Sequence, residues 1–131
     1  MTAEDERPVR LVLDRSALLA YVAGSVHVAE PIHEVTQDRV RFGVTAISVI
    51  EALAMISDSK DRQLLHRLLD LDACAVLDTP GPSWQELSHW RGVTGRVDLA
   101  TTVMACLVHR APILTGEERY GEDLPIIYLP R

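Results

Sequence analysis

The sequence predicts an α/β fold, a sandwich built on a mainly parallel sheet and covered by helices on both faces. Two observations lead there. Short apolar runs with strand character alternate along the chain with longer helical stretches. Two of those stretches, Ala46 to Ile56 and Val97 to His109, are apolar at nearly every position, as helices are that pack on a covered sheet. The 131 residues suit one domain, taken as 1–131 with a flexible N-terminus over 1–8.

In chain order, Pro8 to Leu13 carries branched residues and reads as a strand ending at Asp14. Ser16 to Val22 then reads as helix, stopped by Gly24. Val26 to Thr36 is a weaker helical segment, interrupted or started by Pro31. Val40 to Val44 has strand character. The run 46–56 is too long for a buried strand and reads as a buried helix. Asp58 or Ser59 caps a helix through Leu71, with Leu64, Leu65, Leu68 and Leu69 on its apolar face. Ala73 to Leu77 is a short strand. Pro80-Gly81-Pro82 is a turn, and Ser83 is placed to cap a helix bearing the stripe Trp84, Leu87 and Trp90, read as core, with a partner surface as the alternative. Gly92 to Gly95 reads as a loop, 97–109 as helix, and Pro112–Thr115 and Ile126–Leu129 as strands.

Composition bounds the function. Hydrophobic residues make up 47% of the chain, an ordinary globular share. No apolar run approaches the roughly 20 residues that span a bilayer, and the polar start lacks a targeting pattern. Cys74 and Cys106 lie among apolar neighbours without metal spacing, which reads as buried thiols in a reducing cytoplasm. The five histidines show no ligand spacing. The net charge of −6 argues against a plain electrostatic nucleic-acid binder, but not against a nuclease whose bound cations offset acid charge.

Four acids stand out. Asp14 closes the first strand, where it also suits a helix N-cap. Glu51 lies among Ile47, Val49, Ile50, Leu53 and Met55, sharing a helix face with Ser48. A carboxylate there needs water, an Arg or a cation. Asp98 opens an apolar helix, where the helix dipole favours an acid. Glu117 follows a strand and equally suits a solvated loop. In a parallel sheet the strand ends bearing Asp14 and Glu117 share one edge, where ligands of such folds collect. A carboxylate cluster there repels itself unless Mg2+ or Mn2+ sits within it.

At these residues the sequence resembles the PIN-domain family, especially its small VapC-like toxin ribonucleases. Leu11-Val12-Leu13-Asp14-Arg15-Ser16 is similar to the opening strand and D-x-S motif. Thr45 to Leu53 is similar to the helix bearing the second acid, and Val97 to Ala105 to the helix bearing the third. Ile113-Leu114-Thr115-Gly116-Glu117 stands where the family has a strand and T-x-D. The resemblance runs from Val9 to Leu129. It implies a PIN-like α/β/α sandwich in which Asp14, Glu51 and Asp98 ligate metal directly or through water. Glu117 takes the fourth position, and Ser16 and Thr115 support the site. The implied activity is Mg2+- or Mn2+-dependent hydrolysis of RNA phosphodiesters by a toxin whose small antitoxin protein occupies the acidic groove. A homodimer is a further implied partner.

The sequence also departs from the family. Glu117 replaces the commoner Asp, and Thr101 and Thr102 replace small residues. Arg15, Arg91, Arg96 and Arg119 lie near the expected site, either facing RNA or as solvated surface charges. The alternative reading is a PIN-like module that binds or regulates without cleaving. A third is a metal-dependent phosphatase or DNA nuclease.

Overall fold

The computed structural model describes residues 5–130. Five strands, β1 (Val9–Leu13), β2 (Arg41–Thr45), β3 (Cys74–Leu77), β4 (Ile113–Thr115) and β5 (Ile126–Tyr128), form one sheet. Every neighbouring pair is parallel, in the order β3-β2-β1-β4-β5. Six α-helices connect them: α1 (Arg15–Val22), α2 (Val26–Gln37), α3 (Ala46–Ala54), α4 (Ser59–Leu69), α5 (Trp84–Thr94) and α6 (Val97–His109). The architecture is the expected α/β/α sandwich.

Alternation along the strands divides the core. Leu11, Leu13, Phe42, Val44 and Leu114 face one side, where Leu18, Val28, Ile32, Ala52, Leu65 and Leu68 of α1 to α4 cover them. Val9, Val12 and Ala75 pack with Ala105, and Ile113 with Leu99, Val103 and Cys106, so α6 covers the other side. Val9 and Val12 share a side although three residues apart. A register shift between Val9 and Leu11 accounts for this by letting Arg10 turn out to solvent. Gly43 keeps the sheet tight on the same side. A Cβ there would lie 2.7 Å from Leu77 Cδ1 and 3.1 Å from Val9 Cγ1.

Several expectations need correction. α2 runs unbroken through Pro31. α5 continues to Thr94, so only Gly95, at φ 85°, ends it in the left-handed region that suits glycine. Ser83 makes no side-chain cap, because a 3-10 turn, Gly81–Ser83, leads into α5. The aromatic stripe is not core: Trp84 is 63% exposed, and only Trp90 packs against the cluster of Leu99, Val103 and Ile113. α3 is not buried all round either. It turns Ser48 and Ala52 inward but exposes Ile50 and, just past its end, Met55. α6 does match, with every residue from Asp98 to Cys106 buried between the sheet and the helices α3 and α5.

The segment expected to be flexible, 1–8, lies outside the described residues at 1–4. From Asp5 onward it touches the body: the Arg41 Nε–H donates to the Arg7 carbonyl at 2.9 Å, and Arg7 donates to the Asp72 carbonyl at 2.9 Å. Both cysteines are free. Cys106 is buried as expected, whereas Cys74 is only partly so; burial, and then the charge of Asp70, pushes the Cys74 thiol up to about 12. Among the described residues no helix is long and apolar enough to cross a membrane.

Candidate active site

Strand order places the site. Successive strands step from β1 through β2 to β3, and the chain then returns to the opposite side of β1 with β4. The switch point lies between β1 and β4, where ligands of open parallel sheets collect beyond the carboxyl ends. Leu13 pairs with Leu114, so the next residues, Asp14 and Thr115, stand side by side at that edge.

Asp14 is fully buried, and its carboxylate is surrounded by donors. Oδ1 accepts from Ser16 Oγ at 2.6 Å and from the Ala17 backbone N–H at 3.0 Å. Oδ2 accepts from Thr115 Oγ1 and from the Tyr120 hydroxyl, the latter at 2.7 Å. A carboxylate has about four lone-pair sites, and here four donors fill them. Asp14 is therefore the α1 N-cap and the centre of a hydroxyl cluster at once. Burial, then the Asp14 charge, pushes the Tyr120 phenol well above its ordinary value, so it remains a proton donor.

Ser16 and Thr115 take the supporting places expected of them. Their hydroxyls lie 3.2 Å apart. Ser16 Oγ also accepts from the Gly116 N–H at 2.9 Å, and Thr115 Oγ1 from the Glu117 N–H at 2.8 Å. These bonds fix the loop that carries Glu117.

The other three acids gather around two arginines. Arg96 grips Asp98 with both arms of its fork, Nε to Oδ1 at 3.0 Å and Nη2 to Oδ2 at 2.8 Å. Its remaining nitrogen, Nη1, donates to Glu117 Oε1 at 2.9 Å. Arg15 stands among all three acids, 4.0 Å from Glu51, 3.9 Å from Asp98 and 4.0 Å from Glu117. Asp98 is buried, and burial alone would raise its carboxyl. The Arg96 hydrogen bonds and charge, together with the charge of Arg15, outweigh that and hold it below the ordinary 3.8. Glu51 is the most open of these acids, 44% exposed, and among the described residues its ion pair is the long one to Arg15.

The arginines thus divide. Arg91 and Arg119 are exposed, whereas Arg15 and Arg96 are partly buried within the acid cluster. Thr101 and Thr102 donate to the Asp98 carbonyl at 2.7 and 3.0 Å rather than standing beside its carboxylate. Their hydroxyls also meet Thr45 Oγ1 at 2.7 Å and Ser48 Oγ at 3.2 Å, joining the first turn of α3 to the second turn of α6. Arg62 Nη1 donates to the Leu53 and Ile56 carbonyls, tying down the end of the helix that carries Glu51. Sequence reasoning missed Tyr120, the Arg96 fork and this hydroxyl bridge.

The side chains suit a hard cation in kind: carboxylate and hydroxyl oxygens, with no thiol or imidazole among them. The pairing is less open. Asp14 is saturated by hydroxyls and an N–H, and both oxygens of Asp98 lie in the Arg96 fork. Accordingly, among the described residues no group of three or more His, Cys, Asp or Glu stands ready to hold a metal ion.

No protein-family model matches the chain, and no curated protein does. Among solved structures it is similar to the crystal structure of PAE2754 from Pyrobaculum aerophilum. The TM-score is 0.60 at 17% identity, over 86% of this chain and 84% of that one. At that identity the likeness speaks for the fold.

Proposed function

We propose that the chain is a PIN-type, metal-dependent ribonuclease. The observation that carries this reading is the gathering of Asp14, Glu51, Asp98 and Glu117 at the carboxyl ends of β1 and β4, the switch point of the sheet. The N-termini of α1 and α6 carry two of these acids, Asp14 and Asp98, and their partial positive charge favours anions.

Glu51, Asp98 and Glu117 would hold Mg2+ or Mn2+, with Asp14 orienting the site through Ser16, Thr115 and Tyr120. When bound, such an ion supplies an activated water and neutralises phosphate charge. The chain's own part is to fix these carboxylates and exclude bulk water from Asp14. Arg15, partly exposed beside all three acids, is the residue best placed to meet a substrate phosphate.

In this reading the protein acts in the cytoplasm, in keeping with its two free thiols. A small antitoxin would cover the acidic edge, and a second copy of the chain is a further candidate partner. The test is cleavage of mixed single-stranded RNA with Mg2+, Mn2+ or EDTA, beside Asp14→Asn. Metal-dependent cleavage that the variant loses supports the ribonuclease. Folded protein that cleaves under no metal refutes it.

One observation favours a second reading, a module that binds without cleaving. Asp98 and Glu117 are already paired with Arg96, and Asp14 is saturated. RNA binding that survives EDTA, with no cleavage, would select that reading.

A further inference from the structure

The Arg96 fork is more than a surface ion pair. Arg96 stands at the N-cap of α6, two residues before Asp98, in extended backbone at φ −145° and ψ 144°. That conformation turns its guanidinium back over the first turn of the helix. Three separate nitrogens reach three carboxylate oxygens on two different elements, all within 3.0 Å. The side chain is 24% exposed, Asp98 is 3% exposed and Glu117 22%, so the bonds are shielded from water on the Asp98 side and reachable from the Glu117 side.

We infer that Arg96 is a built-in counter-ion: its guanidinium bridges Asp98 and Glu117 and occupies carboxylate oxygens that would otherwise be open to a divalent cation. Metal therefore enters only by displacing it.

Charge and geometry agree. Glu51, Asp98 and Glu117 supply three negative charges, and Arg15 and Arg96 offset two of them. The net attraction left for a divalent ion is reduced while both arginines stay. Removing Arg96 leaves Asp98 buried without its fork, which is costly unless another cation arrives. Arg15 sits at 3.9–4.0 Å from each acid, beyond direct hydrogen bonding, so it lowers the charge without occupying the oxygens. Displacement is feasible because a partly exposed Arg swings out about its own rotatable stem while the backbone of α6 stays fixed.

This inference rests on the metal-dependent reading of the site, but its test does not depend on cleavage. Mn2+ binding is measured directly, by the loss of the free-ion spin-resonance signal, in wild type, Arg96→Gln and Arg91→Gln. Arg91 is exposed on α5 and controls for the change in overall charge. Thermal unfolding is followed in EDTA and in Mn2+. Arg96→Gln is expected to bind Mn2+ at least tenfold more tightly than wild type, to melt lower in EDTA and to recover in Mn2+. Arg91→Gln is expected to match wild type. Equal affinity in wild type and Arg96→Gln overturns the inference, and so does an equal gain in Arg91→Gln. Should Arg96→Gln not fold, Arg96→Lys keeps the charge but not the fork. It is expected to bind Mn2+ several-fold more tightly than wild type, and equal affinity again overturns the inference. Tight Mn2+ binding by Arg96→Gln with no RNA cleavage by any form would keep the counter-ion and sink the ribonuclease. Cleavage with unchanged affinity would do the reverse.

Discussion

Replacing Tyr120 by Phe removes one oxygen from the centre of the site and leaves the ring in place. The ring is 1% exposed and packs with Leu99, Val103 and Ile113, so the substitution opens almost no cavity. What is lost is a 2.7 Å hydrogen bond to Asp14 Oδ2, whose residue is 0% exposed. Water cannot replace the missing donor easily at that burial. A hydrogen bond to a charged group contributes about 1.5–3 kcal/mol. Three donors remain on the carboxylate, so a mid-range loss of about 2 kcal/mol is expected. In urea, with a slope of about 1.5 kcal/mol per molar, the midpoint falls by about 1.3 M at unchanged slope. The melting temperature falls by about 6–8 °C. The assay is urea unfolding followed by circular dichroism, on wild type, Tyr120→Phe, Asp14→Asn and the double variant. An Asn amide turns a donor toward one side of the cluster, and the hydroxyls can reverse to accept from it. The two losses should therefore fail to add, by about 1–2 kcal/mol. A loss below about 0.5 kcal/mol in Tyr120→Phe, or strict additivity, would refute the claim that the phenol satisfies a buried carboxylate.

Two further outcomes follow from the packing and the ion pairs. Gly43→Ala should cost about 1–3 kcal/mol, because the new methyl meets Leu77 and the stiff Val9 in the centre of the sheet; an unchanged urea midpoint would contradict this. Asp98 has a folded pKa below its ordinary 3.8, so the unfolded chain binds that proton more readily. Its contribution to stability is full above the unfolded value and disappears as pH falls through the lower folded value. The urea midpoint should therefore drop as pH falls below that ordinary 3.8, and drop less in Asp98→Asn; parallel profiles would show that the Arg96 pairing contributes nothing to this limb.

What could be read from the sequence was local. The cap at Asp14 depends on Ala17 and Ser16, within three residues, and the D-x-S pattern carries it. The strands and most helices followed from periodicity, and the parallel sheet followed from their alternation. The failures share a cause: they depend on which surface meets which. Nothing in a single sequence says that Tyr120 will find Asp14 across 106 residues or that Arg96 will reach Glu117 across 21. Ile50 and Trp84 look like core by composition, yet they lie on faces of α3 and α5 that turn away from the core and stay exposed. Glu51 needs water, an Arg or a cation by its apolar neighbours, and it is partly exposed to solvent and stands near Arg15. The arginines were the subtlest case. Their residue type suits phosphate and carboxylate alike, and only geometry separates the inward pair from Arg91 and Arg119.

The reach of Asp14 also has a consequence for the order of events during synthesis. Two of its four donors, Thr115 and Tyr120, lie 101 and 106 residues downstream. At a ribosomal pace of about 5–20 residues per second, Asp14 waits roughly 5–20 s for them. Meanwhile β1, β2 and β3 already have their partners in sequence, and the flank of β1 that β4 will occupy stands open. A carboxylate held out to water at the end of that flank discourages premature closure and stray pairing. Glu117 arrives in the same late segment. A nascent chain therefore carries no finished acidic site, and the chemistry proposed for it starts only when the last strands have been made.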